Sequence, residues 1–312
     1  MKEGLLPFGS GAWVFIALYL GSLLLVGWWG YRARREDSLK DFYLAGSGFG
    51  FTVLVLTLYA TQYSGNTLFG FTGKTYRIGY AWTMSVHFMT AVIVFYLLLA
   101  PKLQARARAR GFITPADYLQ DRFAYAPLSV LASVVMIVAL SNYLLAQLMA
   151  MGRAVEGLSA STGTDVYIWA VVALALIMVV YETLGGLRAV AWTDVLQGVV
   201  LMLGFAILTV LVLIYFGGPE TSALKILGQD GGGEKLQPPG WAMSREWVSY
   251  IFVVGIGAAL YPQAIQRLYA ARSPAVLRRS LQVMAFLPLT ATLIAVFIGI
   301  TALANFPGLE GA

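Results

Sequence analysis

Ala60-Thr61-Gln62-Tyr63-Ser64-Gly65-Asn66-Thr67 interrupts an otherwise apolar run from Gly50 to Gly73. The run is long enough to cross a bilayer, which takes roughly 20 residues. Inside hydrocarbon a polar side chain is costly, and a backbone group freed from its helix must be met by protein or a watery cavity. A single small polar residue in such a helix more often serves close packing between helices. Five of them within seven residues, Thr61, Gln62, Ser64, Asn66 and Thr67, point instead to a binding site.

The rest of the chain places this run in a membrane. Of 312 residues 59% are hydrophobic and 12% charged, with a mean hydropathy of +0.75. A soluble domain is about one quarter charged, so this chain cannot cover a water-facing surface. It contains no cysteine and one histidine, His87, which excludes disulfides, thiolate metal sites and multi-histidine metal centres. Eight apolar stretches are long enough to span: Ala12–Tyr31, Gly50–Gly73, Ile78–Ala100, Pro127–Gly152, Val166–Thr183, Ala189–Phe216, Trp247–Ile265 and Leu281–Asn305. None shows the ten-residue alternation of a membrane barrel, so all should be helices. The expectation is an all-α polytopic membrane protein of about eight transmembrane helices, forming one transporter domain over residues 1–312. The first span is too long and aromatic for a cleavable signal, and Arg32, Arg34 and Arg35 follow it as a stop-transfer flank.

The net charge of +6 follows the loops. With loops taken alternately, fourteen lysines and arginines fall on one side, Arg32, Arg106, Arg267 and Arg272 among them, and seven on the other. The positive-inside bias then puts both termini outside a cell (inner or plasma) membrane. All eight tryptophans lie near predicted helix ends, as interfacial anchors do. The basic run from Arg106 to Arg110 reads as a cytoplasmic flank touching anionic lipid, not as a nucleic-acid surface. Gly73-Lys74-Thr75 resembles the end of a phosphate loop, but Leu68 stands where its first glycine is required.

Thr114-Pro115-Ala116-Asp117 reads as the capped start of a short surface helix through about Phe123. Residues 217–246, with Gly231-Gly232-Gly233 and Pro238-Pro239, read as a flexible and partly disordered outer loop. Beyond it the seventh span carries a second interruption, Gly255-Ile256-Gly257-Ala258-Ala259-Leu260-Tyr261-Pro262-Gln263. Proline removes an amide and clashes with the preceding turn, and glycine loosens helical geometry. Two interrupted spans in corresponding positions of two halves mark a transporter site, where freed carbonyls hold a cation and half-helix N-termini favour an anionic group. Thr61, Gln62, Ser64, Gly65, Asn66, Gly257, Tyr261 and Gln263 are therefore the candidate solute-binding residues.

With these residues in view, the chain resembles the sodium/solute symporters, which include the sodium/proline, sodium/galactose and sodium/pantothenate carriers. The resemblance rests on the break after Ala60, on Thr114-Pro115-Ala116-Asp117-Tyr118-Leu119 and on the stretch from Gly185-Gly186-Leu187-Arg188 through Trp192-Thr193-Asp194 to Gln197. It rests also on Pro262 followed by Gln266-Arg267-Leu268-Tyr269-Ala270-Ala271-Arg272-Ser273. It implies an inverted-repeat fold of five plus five helices. Residues 12–31 would be an extra N-terminal helix, 50–216 the first repeat, 217–246 an outer loop and 247–305 the start of an incomplete second repeat. It further implies a sodium ion on the backbone carbonyls of Ala60 and Tyr63, and Asp194 on the route of sodium toward the cytoplasm. Family hydroxyl ligands come from the eighth core helix, which this sequence lacks, so the chain is expected to be a piece of a longer carrier. The sodium/proline carriers have an aspartate in place of Gln62 and aromatics in place of Val254 and Ala258, so those contacts do not transfer.

The expected activity is sodium-coupled symport of a small polar solute, an amino acid or short organic acid, by alternating access. Sodium is the only cofactor called for, with no organic one, and the partners are the solute and the lipid bilayer. A transporter-like sensor that binds without accumulating is the rival reading. An enzyme is excluded because no paired carboxylates or nucleophile–base set share one depth. Asp194 could equally serve by facing a helix start, where an acid is favoured. Glu182 should pair with Arg188 at the interface, with a proton or cation relay as the other reading, and His87 should be a packed helix residue.

Overall fold

The computed structural model describes residues 9–33, 38–158 and 164–309, and their regular structure is helical. In chain order the helices are α1 (Ser10–Arg32), α2 (Leu39–Leu44), α3 (Phe51–Gln62), α4 (Thr72–Ile78), α5 (Ser85–Arg110), α6 (Pro115–Phe123) and α7 (Ala126–Leu158). There follow α8 (Thr164–Phe216), α9 (Pro219–Leu227), α10 (Gly232–Leu236), α11 (Trp241–Ala259), α12 (Pro262–Tyr269), α13 (Pro274–Met284) and α14 (Thr292–Asn305). Five spans are long and apolar enough to cross a bilayer, or six if the bent pair before and after residue 260 is one span. Phe51–Gln62 is a shorter apolar helix. The two spans expected at 166–183 and 189–216 are the two helical parts of α8, which meet at a kink at Gly186, where φ and ψ are not helical. The chain forms two compact units, Met1–Gly48 with Ala116–Asp194, and Phe49–Pro115 with Val195–Ala312.

In the first unit, α1 meets α8 through small residues. A side chain at Gly30 would lie 2.6 Å from the Cα of Ala189, and one at Gly27 would lie 2.6 Å from Tyr181. Without water to drive apolar surfaces together, membrane helices associate by such close backbone approach. Gly186 makes the turn in α8 with φ 59° and ψ −159°, a conformation open essentially to glycine, and a Cβ there would strike Phe42. The turn delivers Arg188 into the interior. Its guanidinium lies 2.5 Å from a carboxylate oxygen of Asp41 and also donates to the carbonyl of Ala33, just past α1. Arg188 thus pairs with Asp41 and not, as its sequence neighbourhood implied, with Glu182, which is exposed.

In the second unit, α3 and α4 are the two halves of the second predicted span, joined through a π-helical turn at Asn66–Phe71. They are fastened to different neighbours. The N-terminal end of α3 is tied to the end of α12, where Phe49 donates to Ala270 O and Arg272 donates to Phe49 O. One turn deeper, Arg267 of α12 donates from Nε to Thr57 Oγ1 at 2.9 Å and from Nη1 to Gln263 O at 3.0 Å. Gln104 of α5 donates to Ala271 O from a fully buried position. By contrast, α4 is held by α14: Thr72 donates to Ala295 O, Tyr76 donates to Phe306 O, and Gly299 leaves no room for a side chain against Thr72 and Thr75. Pro288 lies where the last predicted span, 281–305, breaks into α13, a 3₁₀ turn and α14.

Residues 217–246 correct the expected disordered loop. They fold into α9 and α10 and close over α14. Ile226 is fully buried, Lys225 donates to Asn305 Oδ1 at 2.6 Å, and Gln229 reaches Leu303 O and Ala304 O. The glycines that looked like linker material are contact points. A Cβ at Gly232 would collide with the Ile226 carbonyl, and Gly231 adopts φ 69°. The helix read at Thr114–Phe123 is present as α6.

Two stability predictions follow from these contacts. Gly30→Leu should overpack the α1–α8 contact and cost about 1–3 kcal/mol, lowering the midpoint of thermal unfolding in detergent. Gly21→Leu, on the same helix with nothing within 4 Å, should leave it unchanged. Thr57→Val keeps the side-chain shape but removes the acceptor of the buried Arg267, and should destabilise by about 1–3 kcal/mol. A Thr57→Val protein as stable as wild type would show that Arg267 does not depend on this contact.

Candidate functional site

The break in the first interrupted helix is defined by where its amides go. Helix α3 ends at Gln62, and Tyr63 leaves it in an extended conformation, φ −112° and ψ 120°. In an unbroken helix the Ser64 amide would point at the carbonyl of Ala60 and the Thr67 amide at that of Tyr63. Here the Ser64 amide donates to the hydroxyl of Thr67 at 3.3 Å, and the Thr67 amide donates to Ser64 O at 2.9 Å. The Ala60 and Tyr63 carbonyls thereby lose their helical donors. They are the same two carbonyls that the family resemblance marks for sodium.

The polar residues of this segment divide into two groups. Thr67 supplies the acceptor just described, and Thr61 donates back to Thr57 O at 2.7 Å, so both hydroxyls serve the local backbone. Gln62, Ser64 and Gly65 are half-buried at the break. The side chain of Asn66 lies outside the described residues. Tyr63 is buried beside Tyr59, with ring centroids 4.8 Å apart, and its hydroxyl has no hydrogen-bond partner among the described residues.

The second break lies in the same unit. Leu260 donates to Gly257 O and Tyr261 to Ala258 O, tightening the end of α11 into a 3₁₀ turn. The axis bends by 57° before Pro262 opens α12. Proline has no amide to offer Ala258 O, and that carbonyl also receives the hydroxyl of Tyr96 at 3.0 Å. Tyr261 caps α12, its carbonyl accepting from Ala264 and Ile265. Gly257 faces open space, since a Cβ there would meet nothing within 4 Å. Gln263 holds a buried side-chain oxygen without a partner among the described residues. Thr61 and Gln62 share a narrow seam with Tyr96 of α5, Ala264 of α12 and Leu281 and Met284 of α13. One unit therefore brings together the carbonyl pair, Thr61, Gln62 and the start of α12.

Asp194 closes the first unit, buried at 7% exposure within α8, whereas Ala60 and Tyr63 belong to the second. His87 is exposed and packs its ring 5.1 Å from that of Trp247. Sequence reasoning missed Arg267 and Tyr96. Counted among the loop cations, Arg267 is instead buried at 7% exposure, and without it the charge asymmetry is thirteen against seven. The available signal was its spacing: position 267 lies on the same face of α12 as Gln263 and Ala264, one turn from the break. Tyr96 carried none, being one aromatic in an apolar helix. Among the described residues no group of three or more histidines, cysteines or carboxylates could hold a metal.

The chain is 28% identical over 303 residues to an uncharacterized symporter, YhjB, of Bacillus subtilis, covering 95% of this chain and 60% of that one. It is 26% identical over 213 residues to sodium/proline symporter 2 of Staphylococcus saprophyticus, covering 67% of this chain and 41% of the relative. It is 25% identical over 309 residues to the sodium/glucose cotransporter of Vibrio parahaemolyticus, covering 92% of this chain and 54% of the relative. The chain thus spans between two fifths and three fifths of the length of these relatives. A Na+-coupled sialic acid symporter, solved substrate-bound and outward-open, superposes with a TM-score of 0.79 at 19% identity, over 95% of this chain and 61% of that one, and so shares its fold. Residues 42–309 match the family described as the sodium:solute symporter family, and the chain belongs to it.

Proposed function

We propose that this chain forms the cation- and solute-binding part of a sodium-coupled symporter in the cell membrane, and that it takes a small polar organic solute, an amino acid or short organic acid. The observation that carries this reading is the release of the Ala60 and Tyr63 carbonyls by the Ser64–Thr67 exchange. Two unpaired carbonyl dipoles in a dry interior attract a small hard cation, which prefers oxygen ligands. Asp194 lies on the cation's exit route. Gln62, Ser64, Gly65, Asn66, Gly257, Tyr261 and Gln263 border the solute, and Thr61 supports the break. An acid fits the start of α12, whose dipole favours negative charge. Among the relatives, those named for proline and sialic acid take solutes bearing a carboxylate. In this reading α1 is the extra helix, residues 50–216 the first repeat, 217–246 an outer segment and 247–305 the start of the second, with both termini outside.

The chemistry is binding and motion alone. Sodium entering from outside completes the broken segment and orders the solute pocket, and the two-sided structure then exposes the pocket inward. One charge crossing 100 mV supplies about 2.3 kcal/mol, and a tenfold sodium gradient adds about 1.4 kcal/mol. Together they support roughly a few-hundred-fold accumulation of a neutral solute.

Uptake of radiolabelled amino acids and short carboxylates into vesicles tests the reading. Ser64→Leu should abolish sodium-dependent uptake while membrane insertion stays normal, and normal sodium-driven transport by that variant would overturn the assignment. Thr67→Val removes the acceptor that diverts the Ser64 amide. It should weaken sodium binding to the purified protein by about tenfold, the equivalent of one hydrogen bond of ~1.4 kcal/mol.

A further inference from the structure

Away from both breaks, the basic end of α5 and the N-terminal half of α13 enclose an open groove of about 550 Å³. It is lined by Pro101, Pro274, Ala275, Arg278, Arg279 and Gln282. Two of these six residues are arginines and none is acidic. The guanidinium of Arg279 is placed 5.2 Å over the ring of Phe51, so it is held at the groove and does not swing freely. Lys102 and Arg106, exposed on the adjoining turns of α5, add to the positive field. So does the start of α13, where Ser273 caps the amide of Val276.

The groove does not end in water. Beyond the end of α13 at Met284 the chain runs on to Phe286 and Leu289, which are 70% and 50% exposed. Along α5 the edge at Pro101 runs back at helical spacing to Leu98 and Val94, 62% and 46% exposed. Arg278 and Arg279 lie within α13 and Phe286 past its end, so the apolar residues enter hydrocarbon when the cations stand at headgroup level. Such a surface suits one molecule with a negative head and an apolar tail.

We propose that this groove is a binding site for an anionic glycerophospholipid, with its phosphodiester on Arg278 and Arg279 and an acyl chain along Leu98 and Phe286. Basic pockets between membrane helices recognise acidic headgroups in this way. A zwitterionic lipid finds no carboxylate in the lining for its ammonium, and a free phosphate leaves the apolar trough uncovered.

Native mass spectrometry of the purified protein in detergent tests the site, titrating phosphatidylglycerol, phosphatidylcholine and inorganic phosphate separately. The wild-type protein should retain one phosphatidylglycerol in preference to phosphatidylcholine, and inorganic phosphate at equal concentration should not displace it. The doubly substituted Arg278→Gln, Arg279→Gln protein should bind phosphatidylglycerol about 30-fold more weakly, at ~1 kcal/mol for each basic contact. Arg278→Lys with Arg279→Lys should retain most of the affinity. Arg245→Gln, an exposed cation of α11, should bind as wild type does, which separates the site from general charge. Equal retention by the double glutamine variant, or of phosphatidylcholine by the wild type, would overturn the proposal. Displacement by inorganic phosphate would overturn it in favour of a free-anion site, and absence of any retained lipid would overturn it in favour of a protein surface that other polypeptide covers.

Discussion

A helix that stops in the middle of a hydrocarbon layer has no water to meet its stranded amides and carbonyls. Each freed group must find a protein partner or remain a strong, oriented dipole in a medium that screens it poorly. The break at residues 63–66 meets half of this demand. The Ser64 amide is met by the Thr67 hydroxyl and the Thr67 amide by the Ser64 carbonyl, while the carbonyls of Ala60 and Tyr63 lose their helical donors. The break after Ala258 resolves the other way, since Tyr96 reaches across from α5 to occupy the carbonyl that Pro262 cannot serve.

The same low dielectric governs the buried cations. A guanidinium taken out of water costs several kcal/mol unless its donors are met. Arg188 is met by Asp41 and the Ala33 carbonyl, and it thereby pins the end of α1 and the segment around α2 to the turn of α8. Arg267 is met by Thr57 and its own helix carbonyl, and it joins α12 to α3. The two arginines do comparable work in the two units, each tying one helix to a neighbouring segment.

Much of this was legible in the sequence because it depends on residue types that hydrocarbon tolerates badly. The polar run at 60–67 and the glycines and proline at 255–263 marked both interruptions to within a few residues. What escaped depends on three-dimensional closure. Gly231 to Gly233 carry the composition of a linker, yet Gly232 is small because the Ile226 carbonyl lies against it. Arg188 sits six residues after Glu182, a spacing that suggested a pair, but the Gly186 turn carries it to Asp41 instead. Within the cluster of five polar side chains, Thr61 and Thr67 each make a hydrogen bond to the local backbone, which the composition did not show. Composition shows that a helix breaks; it does not show which of its polar groups the break consumes.

How the halves of that broken helix are anchored bears on coupling. Helix α3 is fastened to α12 through the Phe49 bridge and the Arg267–Thr57 bond, and α4 is fastened to α14 through Thr72, Tyr76 and the close approach at Gly299. The free carbonyls of Ala60 and Tyr63 sit at the joint between these two attachments. A cation that bridges them resists any change of angle between α3 and α4, and a change of angle in turn spoils the pair as a ligand. Differential affinity of this kind is the only means by which an ion can bias a conformational equilibrium. Because the anchors on either side are hydrogen bonds and glycine contacts and not flexible loops, displacement of α12 against α14 must be felt at the carbonyl pair. In the proposed reading, this joint is where ion occupancy is converted into helix movement.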